Sequence, residues 1–310
     1  MPGVATRAGL VMLALAMVGT ACSGDGDGKR RAGGAKSSLS RATSQGTVPV
    51  EGAKPGVVKV VAAGDIAASP NGGRGTARLI AKAQPDVVLT LGDNAYQAGT
   101  IEQYRRNYDP TWGKFKGITR PVPGNHEYRT SGAAGYFRYF RNQVSRPYYA
   151  FNAGSWRLYA LNCEIRCGKG SKQLRWLERD LANHRGRPTL AYLHRPRFTC
   201  SKHSPFGGLR PMWAALQSRR GRLVLSAHNH VYERFVKLDA NGRRSGDGMR
   251  QFVVGTGGKK LYGIGSKCPN RRSAGDKQDG ILVLQLRADS YSWVFRTTDG
   301  RVRDRGTGKA

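Results

Sequence analysis

Apolar and polar positions along the chain change rhythm near residue 57. Residues 23–54 are rich in Gly, Ser, Asp, Lys and Arg, with almost no large apolar side chain. Such a stretch buries too little surface to order itself and reads as a flexible tether. Beyond it, β-branched apolar runs end in Gly or Asp and give way to amphipathic patterns, the punctuation of an α/β fold. Residues 57–63 and 86–91 read as buried strands, with a helix near 76–83 closed by Pro85. Residues 119–122, 189–193 and 223–226 are further apolar runs that lead into polar residues, and 251–254, 281–286 and 291–296 complete the predicted strands. Within 171–183, Leu174, Leu177 and Leu181 recur at helical spacing while Arg175, Glu178, Arg179 and Asp180 take the other faces, predicting a scaffold helix.

Composition narrows this picture. A chain of 310 residues that is 39% hydrophobic supports one catalytic-sized domain once its ends are set aside. At the start, Arg7 precedes an apolar run over 8–18 and then Gly19-Thr20-Ala21-Cys22. That run is shorter than the ~20 apolar residues of a membrane-spanning helix, so residues 1–22 read as an export signal. Cys22 and the Gly/Ser/Asp stretch after it resemble the mature start of a bacterial lipoprotein, although Gly19 departs from the usual Leu. The expectation is an exported protein, lipid-anchored at the extracellular face of the membrane or simply secreted. Cys163, Cys167, Cys200 and Cys268 then form an even set in a disulfide-permissive compartment. Three pairings are open; Cys163 with Cys167 and Cys200 with Cys268 is preferred because the first two are close in sequence. No C-x-x-C pair favours zinc. The formal net charge is +32, from 52 Lys and Arg against 20 Asp and Glu. It attracts polyanions generally, including an anionic membrane or cell-wall surface, but without a compact basic cluster it specifies no nucleic acid.

Chemistry-bearing residues recur just past the predicted strand ends: Asp65, Asp93, Asn125 with His126, His194, and His228 with His230. Loops at strand ends combine rigid support with open coordination positions, and carboxylate, amide and imidazole donors suit Fe, Zn or Mn. Each piece alone is ambiguous, since Gly92–Tyr96 also reads as a turn and His228-x-His230 as a polar strand end. Their order carries the signal.

Asp65-x-Ala67, Gly92-Asp93-x-x-Tyr96, Gly124-Asn125-His126-Glu127, Tyr192-Leu193-His194-Arg195-Pro196 and His228-x-His230-x-x-Glu233-Arg234 together resemble the calcineurin-like metallophosphoesterases, and among them the purple acid phosphatase group. The resemblance implies a four-layer α/β/β/α sandwich of two mixed sheets flanked by helices, with a catalytic domain over 55–300 and a basic tail over 301–310. It also implies two metal ions, Fe(III) with a divalent Fe, Zn or Mn. Asp65, Tyr96, His230 and one oxygen of Asp93 would hold the first; the other Asp93 oxygen, Asn125, His194 and His228 would hold the second. Ala67 stands where the wider superfamily has a ligating His, and Tyr96 supplies the replacement. A phenol with an ordinary pKa near 10 ionises only beside a strong positive charge, which agrees with Fe(III).

The implied reaction is hydrolysis of a small phosphate monoester by a bridging or terminal hydroxide, with phosphodiester or nucleotide hydrolysis as a variant. The rival reading is a lipid-tethered basic module that binds anionic envelope polymers. His126 is assigned to substrate orientation and proton transfer, His203 to proton donation, and Arg195 to substrate contact alongside both. His184 is read as a helix C-terminal cation, and the turn Gly255-Thr256-Gly257-Gly258 as backbone packed beneath the metal loops. Plant-type relatives carry a β-sandwich domain where this chain has only the tether, so a monomer is expected.

Overall fold

The computed structural model describes residues 56–275 and 277–310; the expected signal over 1–22, with Cys22, and the whole of the expected tether lie outside the described residues. Strands β1 (Val58–Ala63) and β2 (Val87–Leu91) are buried along almost their whole length, as continuous Val/Ala/Leu runs require when a strand is covered on both faces. Between them α1 (Arg74–Ala83) buries Thr76, Ala77, Leu79 and Ile80 and turns the chain so that β2 runs parallel to β1. The single-turn α2 (Ile101–Gln103) opens on a capping box at Thr100, and β3 (Thr119–Val122) then joins β2 in parallel.

After the short α3 (Ala134–Tyr139), β4 (Tyr149–Ala153) and β5 (Trp156–Ala160) form the hairpin that starts a second sheet. Helix α4 (Lys172–Asn183), capped by the Ser171 hydroxyl, leads to β6 (Thr189–Tyr192), and α5 (Arg210–Gln217) leads to β7 (Gly221–Ser226). The chain continues through β8 (Tyr232–Leu238), β9 (Met249–Val254) and β10 (Arg271–Gly275), giving the strand order β10-β8-β9-β7-β6-β5-β4. It then returns to the first sheet as β11 (Gly280–Leu286), β12 (Ser290–Thr297) and β13 (Val302–Lys309), in the order β13-β12-β11-β1-β2-β3. Val60, Ala62, Leu282 and Leu284 of one sheet share a core with Leu158, Tyr192, Leu223 and Phe252 of the other. A second core packs Leu177 and Leu181 of α4 and Met212 and Trp213 of α5 against Tyr159, Ala191, Val224 and Val253. The expected pair of mixed sheets with flanking helices is therefore present, as are both disulfides, with Cα–Cα separations of 5.2 and 5.9 Å.

One boundary changes. Residues 301–310, expected as a basic tail beyond a domain ending at 300, include β13, paired with β12 from Arg296↔Val302 to Ser290↔Lys309. Its charges disguise an edge strand, where Lys and Arg on an open side are favourable. The strand is tied inward by Asp304, which accepts both N–H edges of Arg234 at 2.6 and 2.9 Å, the Tyr232 hydroxyl at 2.6 Å and the Trp293 indole at 3.1 Å. Breaking a largely buried pair leaves a charge uncompensated and costs about 3–5 kcal/mol. Asp304→Ala is accordingly expected to lower the unfolding free energy by roughly 3 kcal/mol, read as a shift in denaturant midpoint; a shift near zero would show that β13 is dispensable.

Candidate metal centre

The parallel strands β1, β2, β3, β6 and β7 all end at one edge of the sandwich, and the chemistry-bearing residues follow them there. The loops after β1 and β2 are zipped together: the Asp65, Ile66 and Ala67 N–H groups donate to the Gly92, Asp93 and Asn94 carbonyls at 3.0–3.1 Å. Ala67 is fully buried and bridges to Ala95, so no side chain from that position reaches the site. Asp65, Asp93 and His228 adopt left-handed backbone, with φ of 57°, 50° and 69°. Such conformations cost about 1–3 kcal/mol each for non-Gly residues and persist only where surrounding contacts enforce them, a pattern concentrated at functional sites. Gly92 and Gly124 permit the crowding: a Cβ on Gly92 would lie 2.7 Å from His194 Nδ1, and one on Gly124 would overlap the Asp93 carboxylate.

All seven expected ligands converge. The Tyr96 hydroxyl lies 2.9 Å from Asp65 Oδ1, 3.3 Å from Asp93 Oδ2 and 3.4 Å from His230 Nε2. His194 Nε2 lies 3.1 Å from Asn125 Oδ1, 3.1 Å from His228 Nδ1 and 3.4 Å from Asp93 Oδ2. The other nitrogen of each deep imidazole is committed: His194 Nδ1 donates to Leu91 O at 2.9 Å, and His230 Nδ1 to Lys260 O at 2.8 Å. Their Nε2 lone pairs therefore face carboxylate, amide and imidazole acceptors. Acceptors turned toward one another repel unless a proton or a cation lies between them, so the donor set fits metal ions on both sides of Asp93. Asp93 serves both groups through the single oxygen Oδ2, whereas the expectation gave each metal a different oxygen. Oδ1 instead accepts the His126 N–H at 2.9 Å.

The electrostatics agree. Burial pulls His194 down, yet the charges of Asp93 and Asp65 raise it to about 10. Asp65, raised by burial, is held below its ordinary value mainly by His230. Protons on imidazole thus balance the carboxylates when nothing else does, and metal binding would release them. Burial, then Asp65 and Asp93, push the Tyr96 phenol well above its ordinary value, so its ionisation requires a nearby multiply charged cation.

The outer residues divide. His126 fixes Nδ1 on Gln97 O at 2.6 Å, packs edge-on to Tyr96 and brings Nε2 to 3.8 Å from Asp93 Oδ2. His203 stacks on His228 with ring centroids 4.4 Å apart. Arg195, expected to contact substrate, turns its Nε and Nη2 edge to Glu164 at 2.8 and 2.9 Å, and its side chain stays 32% exposed. His184 caps α4, away from the centre. The glycine turn lies beneath the metal loops, with Gly257 N donating to Gly64 O and Lys259 N to Asp65 O, both at 2.9 Å.

Sequence reasoning left two residues without a role. Glu127, fully buried, accepts N–H groups from Asp93, Asn94 and Gly124 at 2.7–2.9 Å and the Tyr104 hydroxyl at 3.2 Å, clasping the loops after β2 and β3. Burial and the Asp93 charge raise its pKa to about 7. Glu233, also fully buried, accepts from the Thr199 hydroxyl, Cys200 N and Arg271, while Asn229 accepts the His203 N–H at 2.7 Å. The Cys200–Cys268 bridge fastens the same loop. The available signal was an acid inside each of two motifs that carried no expected ligand role.

Residues 58–232 match the model of the calcineurin-like phosphoesterase family. No curated protein matches the chain. Among solved structures, the chain is similar to the purple acid phosphatase PPD1 from yellow lupin (Lupinus luteus) seeds, with 20% identity, a TM-score of 0.68, and coverage of 82% of this chain and 54% of the lupin one. It therefore spans about half the length of that relative. GAP50, described as the anchor in the inner membrane complex of Plasmodium, shares 11% identity over 82% of this chain and 89% of its own at TM-score 0.65. PhoD shares 13% identity over 84% and 69% of the two chains at TM-score 0.59. At such identities the structural likenesses establish the fold, while the family match spans more than half of the sequence: the chain belongs to the calcineurin-like phosphoesterase family.

Proposed function

We propose that this chain hydrolyses small phosphate monoesters at a dinuclear centre of the purple acid phosphatase type. The observation that carries the reading is the Tyr96 hydroxyl between Asp65 and His230, beside an Ala67 that offers no ligand. Asp65, Tyr96, His230 and Asp93 would hold Fe(III), and Asp93, Asn125, His194 and His228 a divalent Fe, Zn or Mn. When bound, two such cations supply Lewis-acid charge on both sides of an in-line displacement.

The chain's own groups supply the rest. His126, anchored through Nδ1, presents Nε2 at the mouth and orients the phosphoryl group. His203, stacked on His228 and held by Asn229, donates a proton to the leaving oxygen. The fork to Glu164 fixes Arg195 beside His194, which makes Arg195 a support for that ligand and a diffuse positive charge for an anionic substrate. Export belongs to the same proposal, since two disulfides suit an oxidising compartment.

Metal-loaded protein is expected to release phosphate from an aryl monoester and to show a pink or purple visible band that Tyr96→Phe abolishes. A colourless, active Zn or Mn protein would remove the Fe(III)–tyrosinate part of the reading; no phosphate release from any monoester at any pH would sink the whole. Asn125→Ala is expected to lose the divalent metal with its activity, whereas His203→Ala keeps both metals and loses about a hundredfold or more in turnover. Metal analysis beside the kinetics separates them, and metal loss in the His203 variant contradicts the donor role. For export, N-terminal analysis of the mature protein should find a start at Cys22 or beyond; a retained Met1 would count against it.

A further inference from the structure

A second feature lies on β8, β9 and β10 of the second sheet. An open basin of about 690 Å³ is lined by Arg234, Val236, Lys237, Arg244, Ser245, Gly246, Arg250 and Arg272. Five of these eight are cationic and none is acidic, a composition that selects for anions. Lys237 stands directly across from Arg250 in the β8–β9 ladder, and Leu223, next to Arg222, stands beside Arg250 in the β7–β9 ladder. Register therefore sets one pair of these cations, Lys237 and Arg250, side by side.

Their counter-charges are few. Asp304 is committed to Arg234, Tyr232 and Trp293. Lys237 and Arg244 bond to neutral oxygens, on Gly246 for the first and on Asn270 and Pro269 for the second. Arg250 reaches only Tyr291 Oη and Phe235 O, at 3.5 and 3.4 Å, and lies over the Trp293 ring at 4.9 Å. The Arg222 Nε is buried with no hydrogen-bond partner. Burial and the neighbouring Arg222 and Arg250 charges hold the Lys237 ammonium below its ordinary value, although Asp247 opposes them. A set of like charges held this close is stabilised by an anion with several negative groups.

We infer that this basin is a non-catalytic binding site for a linear phosphate polyanion. Lys237 lies five residues beyond Tyr232, where β8 begins just after His230, about 17 Å along the strand at ~3.3 Å per residue. A single small ester cannot occupy both sites, whereas an extended polymer held in the basin keeps the protein beside a dense source of phosphate groups. The absence of an apolar anchor favours a soluble chain over a lipid surface: among the described residues the only exposed large apolar side chain is Val302, so nothing apolar is poised to enter a bilayer at the basin.

The test compares the whole protein with Lys237→Gln/Arg244→Gln/Arg272→Gln and with a control of equal charge change, Arg179→Gln/Arg185→Gln/Arg219→Gln, all exposed on or beside α4 and α5. Binding of a short linear polyphosphate is measured by calorimetry across a salt series, with melting curves to confirm folding and the single Lys237→Gln as a milder variant. The basin variant is expected to weaken binding at least tenfold and to flatten the slope of log K against log salt by about 2, at ~0.7 per lost phosphate contact; the control should change little. Equal losses in both triple variants would assign the affinity to overall charge and overturn the site, as would unchanged binding in a folded basin variant. Vesicles of anionic lipid that bind wild type but not the basin variant, where polyphosphate binds neither, would also overturn it in favour of a membrane surface. None of these readouts depends on turnover, so the inference stands or falls separately from the proposed reaction.

Discussion

Two carboxylates, Asp65 and Asp93, are buried at the ends of adjacent parallel strands, and the surrounding structure makes that burial tolerable. An isolated buried carboxylate is strongly unfavourable and would normally take up a proton. Here each accepts a backbone N–H, from His228 and His126 respectively, and each faces an imidazole whose far nitrogen is already fixed on a carbonyl. These constraints force the left-handed backbone at Asp65, Asp93 and His228 and the glycines beside them. The resulting cluster has negative charge and lone pairs directed inward, which is a demand for cations built into the fold.

Further buried acids hold that arrangement in place without belonging to it. Glu127 binds the loops that deliver Asp93 and Asn125, and Glu233 binds the loop that carries His203. Each spans loops that are remote in sequence, so one side chain fixes the relative position of two groups, which backbone pairing within a single loop cannot do. A carboxylate suits this work because its two oxygens can accept several N–H bonds at once, and charge-assisted bonds to backbone are roughly twice as strong as neutral ones.

The legible part of the site follows from where its residues fall. Asp65, Asp93, Asn125, His194 and His228 come within three residues of an apolar run, and runs buried on both faces are recognisable from composition alone. Tyr96 was legible because Ala67 vacated a ligand position. Other features left no periodic mark. Strands β4, β5, β8 and β10 and helices α2, α3 and α5 went unassigned because their patterns are short or interrupted by charge. The Glu164–Arg195 fork joins residues 31 positions apart, and nothing in either neighbourhood announces the other. Strand β13 reads as a basic tail until Asp304 is seen to point inward. What sequence withheld was long-range polar pairing, which depends on the fold being complete.

The same pairing explains why so basic a chain keeps its charge on the outside. With 20 acids against 52 Lys and Arg, the carboxylates are the scarce partner. Several of them are spent inside: Asp65 and Asp93 on the centre, Glu127 and Glu233 on its loops, Asp304 on an edge strand, and Glu164 and Asp180 on the forks to Arg195 and Arg157. Four of these acids, Asp180, Glu164, Asp304 and Glu233, are each paired with an arginine, so few carboxylates remain to pair with the other surface cations. A positive exterior with an acceptor-lined centre separates two tasks. Long-range attraction by the surface acts on anions in general, while short-range affinity at the centre is reserved for cations. Attraction of anions and affinity for cations are thus assigned to different residues.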